Sequence, residues 1–192
     1  MLAIRPLTEE EMITVYHRQI TRDFSPDEVK PLFTIQNALH KGEYACFGAY
    51  EENTLAAYAF FVFLNTSFGK IALFDYLAVE EGKRNRGVGS WFLQSLMNGV
   101  LQDRDCVLLE IENPAYAQDQ KELALRLHRQ SFYLRNGLRD TGVTANAYLV
   151  EYKILELPVG RPHSREQVKK IYPLLYTHRS TGMVKVHEDE IK

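Results

Sequence analysis

At 192 residues the chain has the length of a single domain. Its composition, 45% hydrophobic and 25% charged, is that of a globular protein with a core. A net charge of −2 excludes the broad positive field of a general nucleic-acid or acidic-membrane binder, so any cationic patch must be local.

Leu2–Leu7 reads as a first strand, and Thr8 followed by Glu11 forms a capping box for a helix to about Ile20. Ser25, Pro26 and the acids after them predict a second helix running from there to Leu39 and stopping near Gly42. "EYACFGAYEENTLAAYAFFVFL" gives two strands joined at Glu51–Asn53, and the nearly unbroken apolar run Tyr58–Leu64 suggests a strand covered on both faces. "KIALFDYLAV" is the next strand, then comes a loop over Glu81–Gly87. The helix after it carries Gly89, Phe92, Leu93, Leu96, Met97 and Val100 on one stripe.

"CVLLEIE" is a fifth strand closed by Asn113-Pro114, and a charged helix from about Gln118 to Asn136 ends at Gly137. Two further strands are expected near 138–143 and 147–155, for a total of seven. Beyond Pro158 the chain turns polar, with a helix expected at Arg165–Tyr176 and a charged tail. "VKKIYPLLY" is apolar enough to pack against something. Residues 1–155 thus read as the domain and 156–192 as a C-terminal extension that is packed on it or binds a partner. A homodimer, if one forms, would use the late strands or the tail.

Cys46 and Cys106 each sit in an apolar stretch and read as buried free thiols. No Cys framework or His pair at metal-ligand spacing stands out among His17, His40, His128, His163, His178 and His187, so no metal is expected. No apolar run approaches the ~20 residues of a membrane span. The first residues do not pair a cationic start with an apolar segment, as a secretory leader does. The cytoplasm is the expected location, with neither membrane nor nucleic acid as partner.

"LAVEEGKRNRGVGSWFLQSL" concentrates chemistry between a strand and a helix. Glycine lets backbone N–H groups approach a ligand, and a helix N-terminus adds free donors and partial positive charge, a combination that suits phosphate. Arg84, Asn85 and Arg86 add charge and fork-shaped donors. A Walker loop would need Lys-Ser/Thr after its second glycine, where this chain has Gly89-Ser90-Trp91. A dinucleotide fingerprint has a different glycine spacing and opens the first β-α unit.

Arg84-x-x-Gly87-x-Gly89, after "DYLAV" and before an amphipathic helix, resembles the Arg/Gln-x-x-Gly-x-Gly/Ala motif of the GNAT acetyltransferase superfamily. "SFYLRNGL" resembles that family's FYxxxGF segment, with Leu138 replacing the common Phe. "LLEIENP" is similar to the LLEVE-P segment of some bacterial members. The resemblance covers about Leu2–Leu155. It implies an α/β (α+β) fold in the order β-α-α-β-β-β-α-β-α-β-β, a mixed, mostly antiparallel sheet of about seven strands flanked by helices. It also implies acetyl-CoA or another acyl-CoA as co-substrate. Arg86, Gly87, Val88 and Gly89 would grip the pyrophosphate through their amides, with Arg84, Asn85 and Ser90 alongside. The strand edge Leu77, Ala78, Val79 would pair with the pantetheine amides.

The implied reaction is acyl transfer to a primary amine by direct attack. The amine must lose a proton, since an alkyl ammonium has a pKa of about 10.4. The oxyanion needs a donor, for which a backbone N–H of Asp75–Val79 would serve. The leaving thiolate gains from an acid, which the resemblance assigns to Tyr133. Where the family often carries a glutamate early in the fourth strand, this chain has Leu73. Asp75 and Glu110 are the candidate bases, directly or through water. By alternation Asp75 should share a face with Leu77, and Glu110 with Glu112. These acids favour a cationic amine. The alternative to an enzyme is a non-catalytic acyl-CoA sensor or interaction module on the same fold.

Overall fold

The computed structural model describes residues 1–147, 149–176 and 184–187; His178 and the charged end at 188–192 lie outside them. Eight strands form one sheet: β1 (Leu2–Pro6), β2 (Tyr44–Glu51), β3 (Thr54–Thr66), β4 (Gly69–Val79), β5 (Cys106–Glu112), β6 (Arg139–Ala147), β7 (Val150–Leu157) and β8 (Val184–Val186). Their order is β1-β2-β3-β4-β5-β7-β6-β8, antiparallel except at the β4–β5 junction. The eighth strand, from the extension, pairs with β6 and was not expected.

Helices cover both faces. On one lie α1 (Glu9–Val15), continued by a π-helical turn at Tyr16–Ile20 and by α2 (Thr21–Asp23), then α3 (Leu32–His40) and α6 (Arg165–Ile171). On the other lie α4 (Val88–Asn98) and α5 (Gln120–Arg135). β3 sends Tyr58, Phe60 and Val62 into the first layer and Ala57, Ala59 and Phe61 into the second, which explains its unbroken apolar run. The Thr8 capping box forms as the sequence requires: Thr8 N–H donates to Glu11 at 2.9 Å, and Glu11 N–H donates back to the Thr8 hydroxyl at 3.2 Å. Among the described residues no helix is long and apolar enough to cross a membrane.

Three expectations need correction. The helix predicted from Ser25 begins only at Leu32. Pro31 lacks an N–H and keeps Lys30 out of the helical region, so Ser25–Pro31 is a loop. Its start is a turn in which the Ser25 hydroxyl and N–H donate to the Glu28 carboxylate at 2.8 and 3.1 Å. The late hairpin turns after Ala147 rather than near Val143. Gly142, at φ +72°, sits in a bulge that carries β6 onward, and Leu149, also at φ +72°, lies in the turn. The helix expected over Arg165–Tyr176 is α6 followed by a 3-10 turn, Tyr172–Leu175, with Pro173 at its start.

Candidate active site

The β4–β5 ladder ends at Phe74↔Leu109. Beyond it β4 keeps β3 as partner and β5 keeps β7 as far as Glu112↔Tyr152, so the two strands part. A cleft of about 610 Å³ opens between them. Leu77, Ala78, Val79, Arg84, Asn85, Gly87, Gly89 and Ser90 line its one end, Asp75 and Glu110 the other, with Tyr133 between α5 and the sheet.

The cradle end is built by local backbone. Gly87, at φ +79°, is the N-cap of α4, and Asn85 also adopts a left-handed conformation at φ +61°, which Asn tolerates better than most residues. These turns bring the first N–H groups of α4 to the mouth of the cleft. Gly89 is needed for another reason: a Cβ there would lie 3.1 Å from the Phe132 ring and 3.2 Å from Val79, so the absent side chain lets α4 sit close to β4 and α5. Arg84 is fastened to the protein, its Nε donating to the Val79 carbonyl at 3.0 Å and its guanidinium 3.5 Å from Asp23. Arg86 is exposed, while Val88 is buried in the core and contributes only its backbone.

At the other end, β4 carries a bulge. Phe60 pairs with Tyr76 and Phe61 with Phe74, which leaves Asp75 as the extra residue. Asp75 and Tyr76 therefore face the same layer, while Leu77 packs against the opposite one. Simple alternation placed Asp75 with Leu77, and the bulge overturns it. Asp75 accepts from Tyr44 Oη and Lys30 Nζ, and its side chain is nearly sealed from solvent. Lys30 comes from the loop that Pro31 creates, pinned by Tyr76, whose hydroxyl accepts from Lys30 N–H at 2.8 Å and donates to the Glu28 carbonyl at 3.0 Å.

Glu110 is partly buried and accepts hydrogen bonds from Tyr172 and Tyr176, both contributed by the extension. Burial pushes its carboxyl above the ordinary range, against the pull of Lys30 and the two hydroxyls. Glu112 finds different partners, Arg129 at 2.6 Å and Arg126 at 3.3 Å, so the two acids do not act as a pair. Leu73, where the family often has a glutamate, is fully buried and apolar. Tyr133 is buried, which pushes its phenol up to about 12 against the nearby positive charge of Arg129. Lys30, Tyr44, Tyr152, Tyr172 and Tyr176 were not singled out from the sequence. The only hint was the apolar spacing of "VKKIYPLLY".

Both cysteines are buried free thiols. Far from the cleft, at the opposite end of β5 and β7, Cys106, Glu156 and His163 bring three ligand-type atoms within 4.8 Å of one another. The Glu156 carboxylate is already occupied there by the Arg139 guanidinium and by His163 Nδ1 at 2.7 Å. That cluster ties the start of the extension to β6 and β7.

The model of the acetyltransferase (GNAT) family matches residues 10–132, a span that contains the cradle and both strands of the cleft. The fold is similar to that of the ribosomal-protein-S18-alanine N-acetyltransferase from Escherichia coli, with a TM-score of 0.57 and 18% identity over 85% of this chain and 97% of that one. It is also similar to a Bacillus subtilis acetyltransferase in complex with CoA, with a TM-score of 0.54 and 15% identity over 82% and 98%. Arabidopsis thaliana NAA60 in complex with acetyl-CoA gives a TM-score of 0.61 and 14% identity over 81% and 97%. At these identities the likeness is one of fold. A comparison with curated protein sequences gave no significant match. With its sheet, its parted strands and its glycine cradle in the order that the family model matches, the chain belongs to the acetyltransferase (GNAT) family.

Proposed function

We propose that this protein transfers an acyl group, most simply acetyl, from acyl-CoA to a primary amine by direct attack in the cleft between β4 and β5. The observation that carries the reading is the joining of two unlike ends in one cleft: a backbone cradle suited to pyrophosphate, and two partly buried acids, Asp75 and Glu110. The cradle fits the group, since Gly87 holds the turn open and Gly89 keeps α4 close to β4. The CoA and acetyl-CoA in the Bacillus and Arabidopsis structures support the same donor here. Arg84–Ser90 would hold its phosphates, and Leu77 and Ala78 would offer backbone groups along the thioester arm.

Glu110 is the better of the two bases, because Asp75 already has the ammonium of Lys30 as its partner. The acceptor ammonium gives a proton to Glu110. Its nitrogen lone pair then forms the bond to the thioester carbonyl carbon, and a β4 backbone N–H stabilises the oxyanion. The carbon–sulfur bond breaks, and the thiolate takes the proton of Tyr133, whose raised pKa keeps it protonated until that moment. The second proton of the acylated nitrogen passes to the Tyr133 phenolate as the neutral amide forms, and Glu110 returns its proton to solvent. Asp27 and Glu28 add negative charge to the wall of the cleft, and Phe24, Tyr76 and Tyr152 add aromatic surface. That lining suits a cationic amine with an apolar portion, either a small molecule or a peptide amine.

Calorimetric titration with acetyl-CoA, followed by a panel of amines and peptides with thiol release as readout, tests the reading. Saturable binding lost in an Arg84→Ala, Gly89→Glu variant, with turnover on a cationic amine, is the expected result. Wild-type protein that binds acetyl-CoA and acylates no member of the panel would favour a sensor. Absence of binding would refute both.

A further inference from the structure

We propose that the C-terminal extension completes the acceptor site, with Tyr172 and Tyr176 as positioning residues that hold the Glu110 carboxylate ready to take the acceptor's proton. This inference rests on the reading of Glu110 as the base. Tyr172 is fully buried, whereas Tyr176 also lines the cleft, four residues on. Their rings lie 5.5 Å apart, and both hydroxyls donate to Oε1 of Glu110. Among the described residues no hydrogen bond falls on Oε2, the oxygen left to accept a proton.

The groups facing Glu110 come from every side. Lys30 stands on the Ser25–Pro31 loop, Asp75 on β4, Tyr152 on β7, and the two tyrosines on the extension. Lys30 Nζ lies 5.8 Å from the centroid of the Tyr176 ring, so this tyrosine touches both the acid and the neighbourhood of the cation. A carboxylate on a mostly apolar strand needs donors to stay ionised in place. Here they come from residues more than 60 positions later in the chain.

The test uses the full chain as wild type, Tyr172→Phe, Tyr176→Phe, the double variant and Glu110→Gln. Phenylalanine keeps the rings and the packing, and an acetyl-CoA affinity within about twofold of wild type certifies the fold. Glutamate carboxyl carbons are followed by 13C NMR against pH, with Glu110→Gln supplying the assignment, so this readout needs no acceptor. Each Phe variant should raise the Glu110 midpoint by about one pH unit, as loss of one charge-assisted hydrogen bond requires. Removing a donor to the ionised form raises the pKa, and a base works only above its pKa. The acid limb of kcat/KM should therefore move to higher pH by the same amount. A midpoint and limb unmoved in Phe variants that bind acetyl-CoA, beside an inactive Glu110→Gln, would overturn the role of the tyrosines alone. A Glu110→Gln variant with wild-type turnover would overturn the base reading and this inference with it.

Discussion

The two glycines of the cradle should fail for different reasons when replaced, and the difference is measurable. At Gly87 an added Cβ meets nothing within 4 Å, but φ is +79°, so Gly87→Ala carries a purely conformational cost. An L-residue in that region costs about 1–2 kcal/mol, which for a chain of this length lowers Tm by about 2–8 °C. Gly87→Asn should lose much less, as Asn85 next door already shows by sitting at φ +61°. At Gly89 the backbone is unstrained and the obstacle is contact: 3.1 and 3.3 Å to the Phe132 ring, 3.2 Å to Val79. Overpacking costs about 1–3 kcal/mol, offset by as much as ~1 kcal/mol from replacing glycine in a helix. Gly89→Ala should thus be destabilised by about 0–3 kcal/mol, and Phe132→Leu should relieve it, with a coupling of about 1 kcal/mol in a double-mutant cycle. Thermal and urea unfolding of the set is the assay. The reasoning is refuted if Gly87→Asn is as damaging as Gly87→Ala, or if the Gly89→Ala loss is indifferent to Phe132.

Tyr133→Phe should lower kcat by roughly 100-fold while leaving the calorimetric Kd for acetyl-CoA unchanged. Because burial holds the phenol near 12, pH–rate profiles of the wild type should show no falling limb attributable to Tyr133 below about pH 10. Arg139→Ala leaves Glu156, 1% exposed, with one fewer cation, and should cost about 2 kcal/mol in urea unfolding, discounted because Arg139 is itself partly exposed. Adding Glu156→Gln to that variant should recover part of the loss. Phe92→Ala empties a fully buried position on α4 and should cost about 3–5 kcal/mol by the same measurement.

Much of the fold was legible because local chemistry dictates it. The Thr8–Glu11 box, the stripe of α4 and the double-sided apolarity of β3 each follow from spacing that the backbone obeys. The misread segment, Ser25–Pro31, contained two opposing signals. Ser25 and its following acids favour a helix start, and Pro31 forbids the continuation. The later signal won, because a missing N–H cannot be compensated by a cap six residues earlier. β8 was illegible for the opposite reason: three residues carry too little pattern to announce a strand, and β6 as partner decides it.

The two ends of the cleft divide in the same way. The cradle lies within seven consecutive residues, Arg84–Ser90, and glycines at fixed offsets before an apolar stripe carry its whole geometry. The acid end is assembled from a loop, four strands and the extension, and no local rule joins Lys30 to Asp75 or Tyr176 to Glu110. Alternation failed there because the bulge at Asp75 turns two consecutive side chains to one face. The bulge also matters for chemistry. It lies just past Phe74, the last residue paired with β5, so the strands part where Asp75 faces Tyr44 and Lys30, and Tyr76 is turned onto the loop it pins. An unbulged β4 would carry Asp75 and Leu77 on one face and direct Tyr76 away from the loop it pins. Position along the strand, rather than residue type, is therefore what makes Asp75 part of the site. Glu110, one strand over, meets tyrosine hydroxyls where Asp75 meets an ammonium.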